Sequence, residues 1–99
     1  MLNVKKNIEN GKAAFKLEGR LDTTSAPVFE KELKDTLDGV TEMSIDLEKL
    51  EYISSAGLRV LLIAHKTMAR KGGLKVLHPD KAVMEVFEVT GFSELLNIE

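Results

Sequence analysis

The pair Asn10-Gly11 constrains this chain more than any other two residues. Both residue types tolerate positive φ, so the pair is the strongest short signal for a two-residue hairpin turn. The flanking apolar residues alternate: Leu2, Val4 and Ile8 precede the turn, and Ala13, Phe15 and Leu17 follow it. A turn at 10–11 opposes Ile8 to Ala13, Lys6 to Phe15 and Val4 to Leu17. Opposed residues share a face of the ribbon, so this register gathers the apolar side chains together. Lys6 is the one misfit, and it suits an edge strand.

Helical and strand periods then alternate to the end of the chain. Thr24 or Ser25 can cap a helix with Pro27 in its first turn, where a missing N–H costs nothing. Phe29, Leu33 and Leu37 form its apolar stripe, Glu30 and Lys34 pair on its outer face, and Gly39 ends it. Met43, Ile45 and Leu47 alternate with Ser44 and Asp46 as a strand. A second helix is expected from about Ser55 to Arg70, ended by Gly72-Gly73. Leu74 and Val76 mark another strand, stopped by Pro79. Asp80 caps a third helix carrying Val83, Met84 and Phe87, closed by Gly91. The tail from Phe92 to Ile98 is expected to be a short helix. This order predicts an α/β fold: a four-stranded mixed sheet in order 1-2-3-4, an N-terminal hairpin followed by parallel β-α-β-α-β. Crossovers of one hand, stepping one way, put the helices mainly on one face. The strands' alternation agrees, since a sheet covered on both faces would be apolar throughout.

Composition removes several functions. With 99 residues, the chain is read as one domain, 1–99. A formal net charge of −2 argues against a dedicated nucleic-acid binder. Cysteine is absent and there are two histidines, so disulfides, thiolate zinc sites and a cysteine nucleophile are excluded and no metal site or cofactor is expected. The start, Met-Leu-Asn-Val-Lys-Lys-Asn-Ile, is too polar for a signal peptide. No apolar run approaches the roughly 20 residues of a membrane span. The expected location is cytoplasmic.

In open α/β sheets function collects at the carboxyl ends of the strands. Two neighbouring loops stand there: Gly19-Arg20-Leu21-Asp22-Thr23-Thr24, and Leu50-Glu51-Tyr52-Ile53-Ser54-Ser55-Ala56-Gly57-Leu58. Ser54 and Ser55 enter the second helix. A serine there is first of all a cap, but a helix N-terminus also welcomes a phosphate, and both roles fit one side chain. Asp22 is either a turn residue or a contact for a partner. No nucleophile elbow or phosphate loop occurs, and His65 lies about 15 Å along the helix from Ser55, so catalysis is not expected. On that helix Leu58, Leu61, Leu62, His65 and Ala69 read as the core stripe, with Arg59, Lys66 and Arg70 on one flank. Val60, Ile63, Ala64 and Thr67 then face outward, as a contact site or as a face covered by another segment such as the tail.

Tyr52-Ile53-Ser54-Ser55-Ala56-Gly57-Leu58-Arg59-Val60-Leu61, with Asp46-Leu47 upstream, Gly19-Arg20-Leu21-Asp22, Gly72-Gly73-Leu74 and the late Val83, Phe87, Gly91-Phe92 pattern, resembles the STAS domain of bacterial anti-sigma factor antagonists. The resemblance covers essentially the whole chain. It implies a partner-switching regulator, not an enzyme. Such a protein binds an anti-sigma factor that is also a serine kinase, and so frees the sigma factor. Phosphorylation of one serine releases the partner, and a serine phosphatase restores the bound form. Counting back from Gly57-Leu58, the family's acceptor falls on Ser55, with Ser54 as runner-up. Ser54 stands where the family often has aspartate, and Ala56 where it has Ser or Thr. The expected partner surface comprises Asp22, Thr23, Thr24, Ser54, Ser55, Ala56, Gly57, Arg59, Val60 and Ile63. Alternatives are a STAS module in a signalling scaffold or transport assembly, or a small nucleotide-binding protein.

Overall fold

The computed structural model describes all 99 residues. Strands β1 (Leu2–Glu9) and β2 (Lys12–Leu21) form the expected hairpin. Asn10 and Gly11 both take positive φ, 53° and 77°, as a right-twisted two-residue turn requires. The register pairs Ile8 with Ala13, Lys6 with Phe15 and Val4 with Leu17. Lys6 does not disturb the core. Its ammonium donates to Glu32 (3.0 Å) and to the Thr36 hydroxyl (3.4 Å) on the helix that lies over the hairpin. Ile8, read as part of the apolar set, stays 49% exposed because nothing reaches the turn end of this edge strand.

Helix α1 (Ala26–Leu37) buries Phe29, Leu33 and Leu37. Phe29 meets Phe15 of β2 edge to face, with ring centres 5.5 Å apart at 81°. Such a pair adds about 0.5–1.5 kcal/mol beyond its buried area. Lys71 closes the other end of α1, its ammonium donating to the carbonyls of Leu37 and Val40. A cation there satisfies helix-end carbonyls and complements the dipole.

Strand β3 (Glu42–Ile53) is the long central strand, parallel to β2. Extra residues on β3 break the register opposite Lys16/Glu18 and again opposite Gly19/Arg20. Each bulge restores the inward orientation, so Met43, Ile45, Leu47, Leu50 and Ile53 are all buried despite their changing spacing. Helix α2 (Ser55–Met68) returns the chain to β4 (Leu74–Leu77), which is parallel to β3. Helix α3 (Lys81–Thr90) packs on β3 and buries Val83 and Phe87. Asp80 caps it, accepting from Val83 N–H at 2.8 Å.

The sheet has five strands rather than four, in order β1-β2-β3-β4-β5. The tail holds one helical turn, α4 (Phe92–Leu95), and then β5 (Asn97–Ile98), which pairs with Lys75 and Val76 of β4. Two residues carry no periodicity to read. The free edge of β4 imposes their pairing, fastened by His78 N–H to Glu99 O and Glu99 N–H to Val76 O, both 2.9 Å. Twenty-four buried apolar residues make one core. The opposite sheet face is charged around Lys5, Lys16, Glu18, Asp46, Glu48 and Lys49. No helix is long and apolar enough to cross a membrane.

Candidate functional site

The carboxyl ends of β2 and β3 are tied directly together. Ser54 N–H donates to Leu21 O at 2.9 Å, so the aspartate loop and the serine loop share one hydrogen bond. Beneath this junction Gly57 is buried against Leu21 and Ile53. A Cβ on Gly57 would lie 2.8 Å from Leu21 Cγ and 2.9 Å from Ile53 Cγ1. Only a glycine lets the first turn of α2 approach the strand ends so closely.

The two serines divide the work. Ser54 is half-buried at the N-cap in extended conformation, and its Oγ accepts from Gly57 N–H at 3.3 Å. Ser55 is the first helical residue and is exposed. Its hydroxyl makes no protein hydrogen bond within 3.5 Å, and it sits at the positive end of the helix dipole. Ala56 packs half-buried against the core.

Asp22 organises the other loop. Its Oδ1 accepts from Thr24 N–H (3.0 Å) and Ser25 N–H (3.0 Å) and lies 3.1 Å from Ser25 Oγ. The Ser25 bonds, backbone first, hold the carboxyl below the ordinary aspartate range. Ser25 occupies the N-cap position of α1, yet its hydroxyl does not cap. It donates to Arg20 O (2.7 Å) and accepts from Asp22 N–H (2.9 Å), leaving Asp22 to bind the incoming backbone. Thr24 does not cap the helix either; both threonines, Thr23 and Thr24, are exposed. Arg20 and Tyr52 are sheet neighbours, with the guanidinium 4.3 Å from the ring centre and its Nε 3.8 Å from Asp22 Oδ2. Both lie in the two loops expected to carry function, but neither belongs to the expected partner surface. Their meeting depends on the β3 bulge that aligns position 20 with 52 rather than 51.

Helix α2 is rotated by about 90° from the expected orientation, at 100° per residue. Its core side is Gly57, Val60, Leu61, Ala64 and Met68, with Leu58 at the margin. Val60 is fully buried and cannot face a partner, and Gly57 lies beneath the site rather than on it. Leu62 and His65 are only half-buried and Ala69 is exposed, so of the stripe read from the sequence only Leu58 and Leu61 belong to the core. The helix ends at Met68, short of Arg70. Ile63 is half-buried on the same side as Arg59. Arg59 is exposed and donates to Glu30 of α1 at 3.0 Å. Glu30 also pairs with Lys34 at 2.9 Å, and that bond, ahead of Arg59, holds its carboxyl below the usual range. The outer face therefore presents Ser55, Arg59 and Ile63, running from the junction with the Asp22 loop along the side that meets Glu30 of α1.

His78 faces Asp46 at 3.5 Å. No three His, Asp or Glu side chains converge as a metal site needs. The chemistry on offer is an exposed hydroxyl at a helix N-terminus, in a loop tied to the Asp22 loop, with the exposed Arg59 one turn along the helix.

Comparisons with known proteins identify the family and the fold. The model of the STAS domain matches residues 2–99. The candidate anti-sigma factor antagonist BtrV of Bordetella bronchiseptica is 39% identical over 84 residues, covering 83% of this chain and 72% of that protein. The anti-sigma-B factor antagonist of Staphylococcus aureus is 25% identical over 99 residues, covering 98% and 92%. Among solved structures, an anti-sigma factor antagonist from Mycobacterium paratuberculosis superposes with a TM-score of 0.89 at 20% identity, covering 99% of this chain and 85% of that one. Unphosphorylated SpoIIAA gives 0.84 at 18% identity, covering 98% and 88%. The chain belongs to the STAS domain family, among relatives named as anti-sigma factor antagonists.

Proposed function

We propose that this protein is a cytoplasmic anti-sigma factor antagonist switched by phosphorylation of Ser55. The unphosphorylated form binds an anti-sigma factor that is also a serine kinase, and so frees a sigma factor. The observation that carries this reading is the division between the two serines. Ser54 Oγ is occupied in capping α2, whereas Ser55 is exposed at the first helical position. In the phosphorylation step the Ser55 hydroxyl attacks the γ-phosphorus of kinase-bound ATP. The bond to the ADP oxygen breaks, ADP leaves, and the hydroxyl proton passes to a base on the kinase. SpoIIAA, a structural relative, is known in unphosphorylated and phosphorylated forms, which supports a switch of this kind.

Phosphoserine carries about −1.5 to −2 charges at neutral pH. At the N-terminus of α2 that charge is locally favourable, so the fold is expected to persist. The cost falls on the partner, which must bury the dianion to dock. The partner surface is Asp22, Thr23, Thr24, Ser54, Ser55, Ala56, Arg59 and Ile63. A serine phosphatase returns the protein to its binding form.

The test is incubation with candidate anti-sigma kinases and ATP, followed by phosphopeptide mapping and binding measurements. Ser55→Ala is expected to bind but resist phosphorylation, and Ser54→Ala to remain a substrate. A Ser55 phosphoform is expected to bind at least tenfold more weakly, about 1.4 kcal/mol. Phosphate on Ser54, or tight binding by the Ser55 phosphoform, would overturn the assignment.

A further inference from the structure

Helix α2 carries an arginine one turn after the proposed acceptor. Ser55 and Arg59 stand at i and i+4, so their Cβ atoms are neighbours about 5–6 Å apart on the helix surface. We propose that phosphorylation of Ser55 draws Arg59 off Glu30 and holds it on the phosphate as an intramolecular counter-ion. This inference rests on the reading of Ser55 as the phosphorylation site.

Five points carry it. The order is favourable, because an acid N-terminal to a base at i, i+4 agrees with the helix dipole. The phosphate has the larger charge and three acceptor oxygens, which a guanidinium can bind through two parallel N–H groups. Arg59 is free to move: its side chain is 64% exposed and its one hydrogen bond is to Glu30. Glu30 keeps a cation when Arg59 leaves, because Lys34 holds its other oxygen at 2.9 Å. The other nearby cation is already engaged, since Arg20 lies over Tyr52 and beside Asp22.

The exchange alters the surface twice. It adds a dianion at Ser55, and it removes an outward guanidinium from the seam between α1 and α2. A partner carboxylate that meets Arg59 in the unmodified protein loses that contact at the same moment. Arg59 is thus a positioning residue that couples the modification to the α1–α2 seam.

Phosphoserine placed at position 55 by genetic-code expansion tests this without a kinase. Phosphorus-31 NMR follows the phosphate through its second ionisation, near pH 6. Carbon-13 NMR follows the Glu30 carboxyl before and after phosphorylation. In the phosphoprotein, Arg59→Gln is expected to raise the phosphate's second pKa by about 0.3 unit or more, the size of an i, i+4 ion pair. Glu30→Gln, which frees Arg59 from α1, is expected to lower it further. The Glu30 carboxyl is expected to titrate higher after phosphorylation, because Arg59 has left. An unchanged phosphate pKa in Arg59→Gln, or an unchanged Glu30 titration, overturns the proposal. Because the phosphate is installed directly, a kinase that ignores Ser55 would refute the switch while leaving this contact measurable.

Discussion

Gly57→Ala places a single methyl group where the site is tightest. The added carbon would sit 2.8 Å from Leu21 Cγ, 2.9 Å from Ile53 Cγ1 and 3.0 Å from Leu21 Cδ2. Carbons pack best at about 3.5–4.0 Å, so the helix start or the two strand ends must separate by about 0.6 Å or more. Leu21 and Ile53 are 0% and 3% exposed; Leu21 Cγ is a branch point and Ile53 Cγ1 an interior methylene, so only Leu21 Cδ2 is a chain tip. Relief by rotamer change is therefore poor. Overpacking of this kind costs about 1–3 kcal/mol. Alanine returns at most about 1 kcal/mol of helix propensity, less in a first turn than in a helix interior. The net expectation is a loss of about 1–2 kcal/mol, which in a domain of this size lowers the Tm by roughly 5–15 °C. Thermal and urea unfolding read this directly, and amide shifts at 54–58 report the displaced helix start. Gly39→Ala is the control: its nearest neighbour is Thr36 O at 3.9 Å and its φ is not positive, so it is expected to be neutral or stabilising by up to about 1 kcal/mol. A Gly57→Ala protein as stable as its parent would refute the claim that close packing at Leu21 and Ile53 positions the two loops.

The remaining predictions concern the same surface and its support. Asp22→Ala is expected to cost about 1 kcal/mol, the loss of a cap, and so to stay folded with a Tm several degrees lower, and to lose partner binding or phosphorylation; equal activity in both assays would exclude a functional role. The carboxyls of Asp22, Glu30 and Glu18 are all held below their ordinary values, 3.8 for Asp22 and 4.5 for the glutamates. Their contribution is present above those values and is lost as pH falls through the lower folded values, so melting temperatures should decline below about pH 4.5 and less steeply in Asp22→Asn. Val60→Ala should cost about 2 kcal/mol in urea unfolding because the side chain is fully buried, whereas Ile63→Glu should fold and bind the partner weakly. Unfolding of Ile63→Glu would make that position core. Lys71→Met should cost roughly 0.3–1 kcal/mol through the lost closure of α1, with hydrogen exchange rising first at its last turn.

The hairpin was legible residue by residue, because a two-residue turn leaves one register that brings the apolar sets together. The same logic marked Ser54 and Ser55 as a helix start and Asp22 as a turn residue. It failed on α2. Leu58 and Val60 through Ala64 are apolar almost without a break, so the 3.6-residue period admits two stripes about 90° apart. The stripe that won contains Gly57, because only a residue without Cβ can close against Leu21 and Ile53.

Local chemistry in the sequence thus determined which elements form and where they begin: turn residues, caps and apolar periods act over a few neighbours. Only the tertiary structure decided which way each element faces and what its ends touch. The two β3 bulges align Arg20 with Tyr52, the free edge of β4 makes a strand of Asn97–Ile98, and Lys6 and Lys71 find partners 26 to 34 residues away. Those contacts join residues remote in the chain, and their energies depend on the packed geometry rather than on any local pattern.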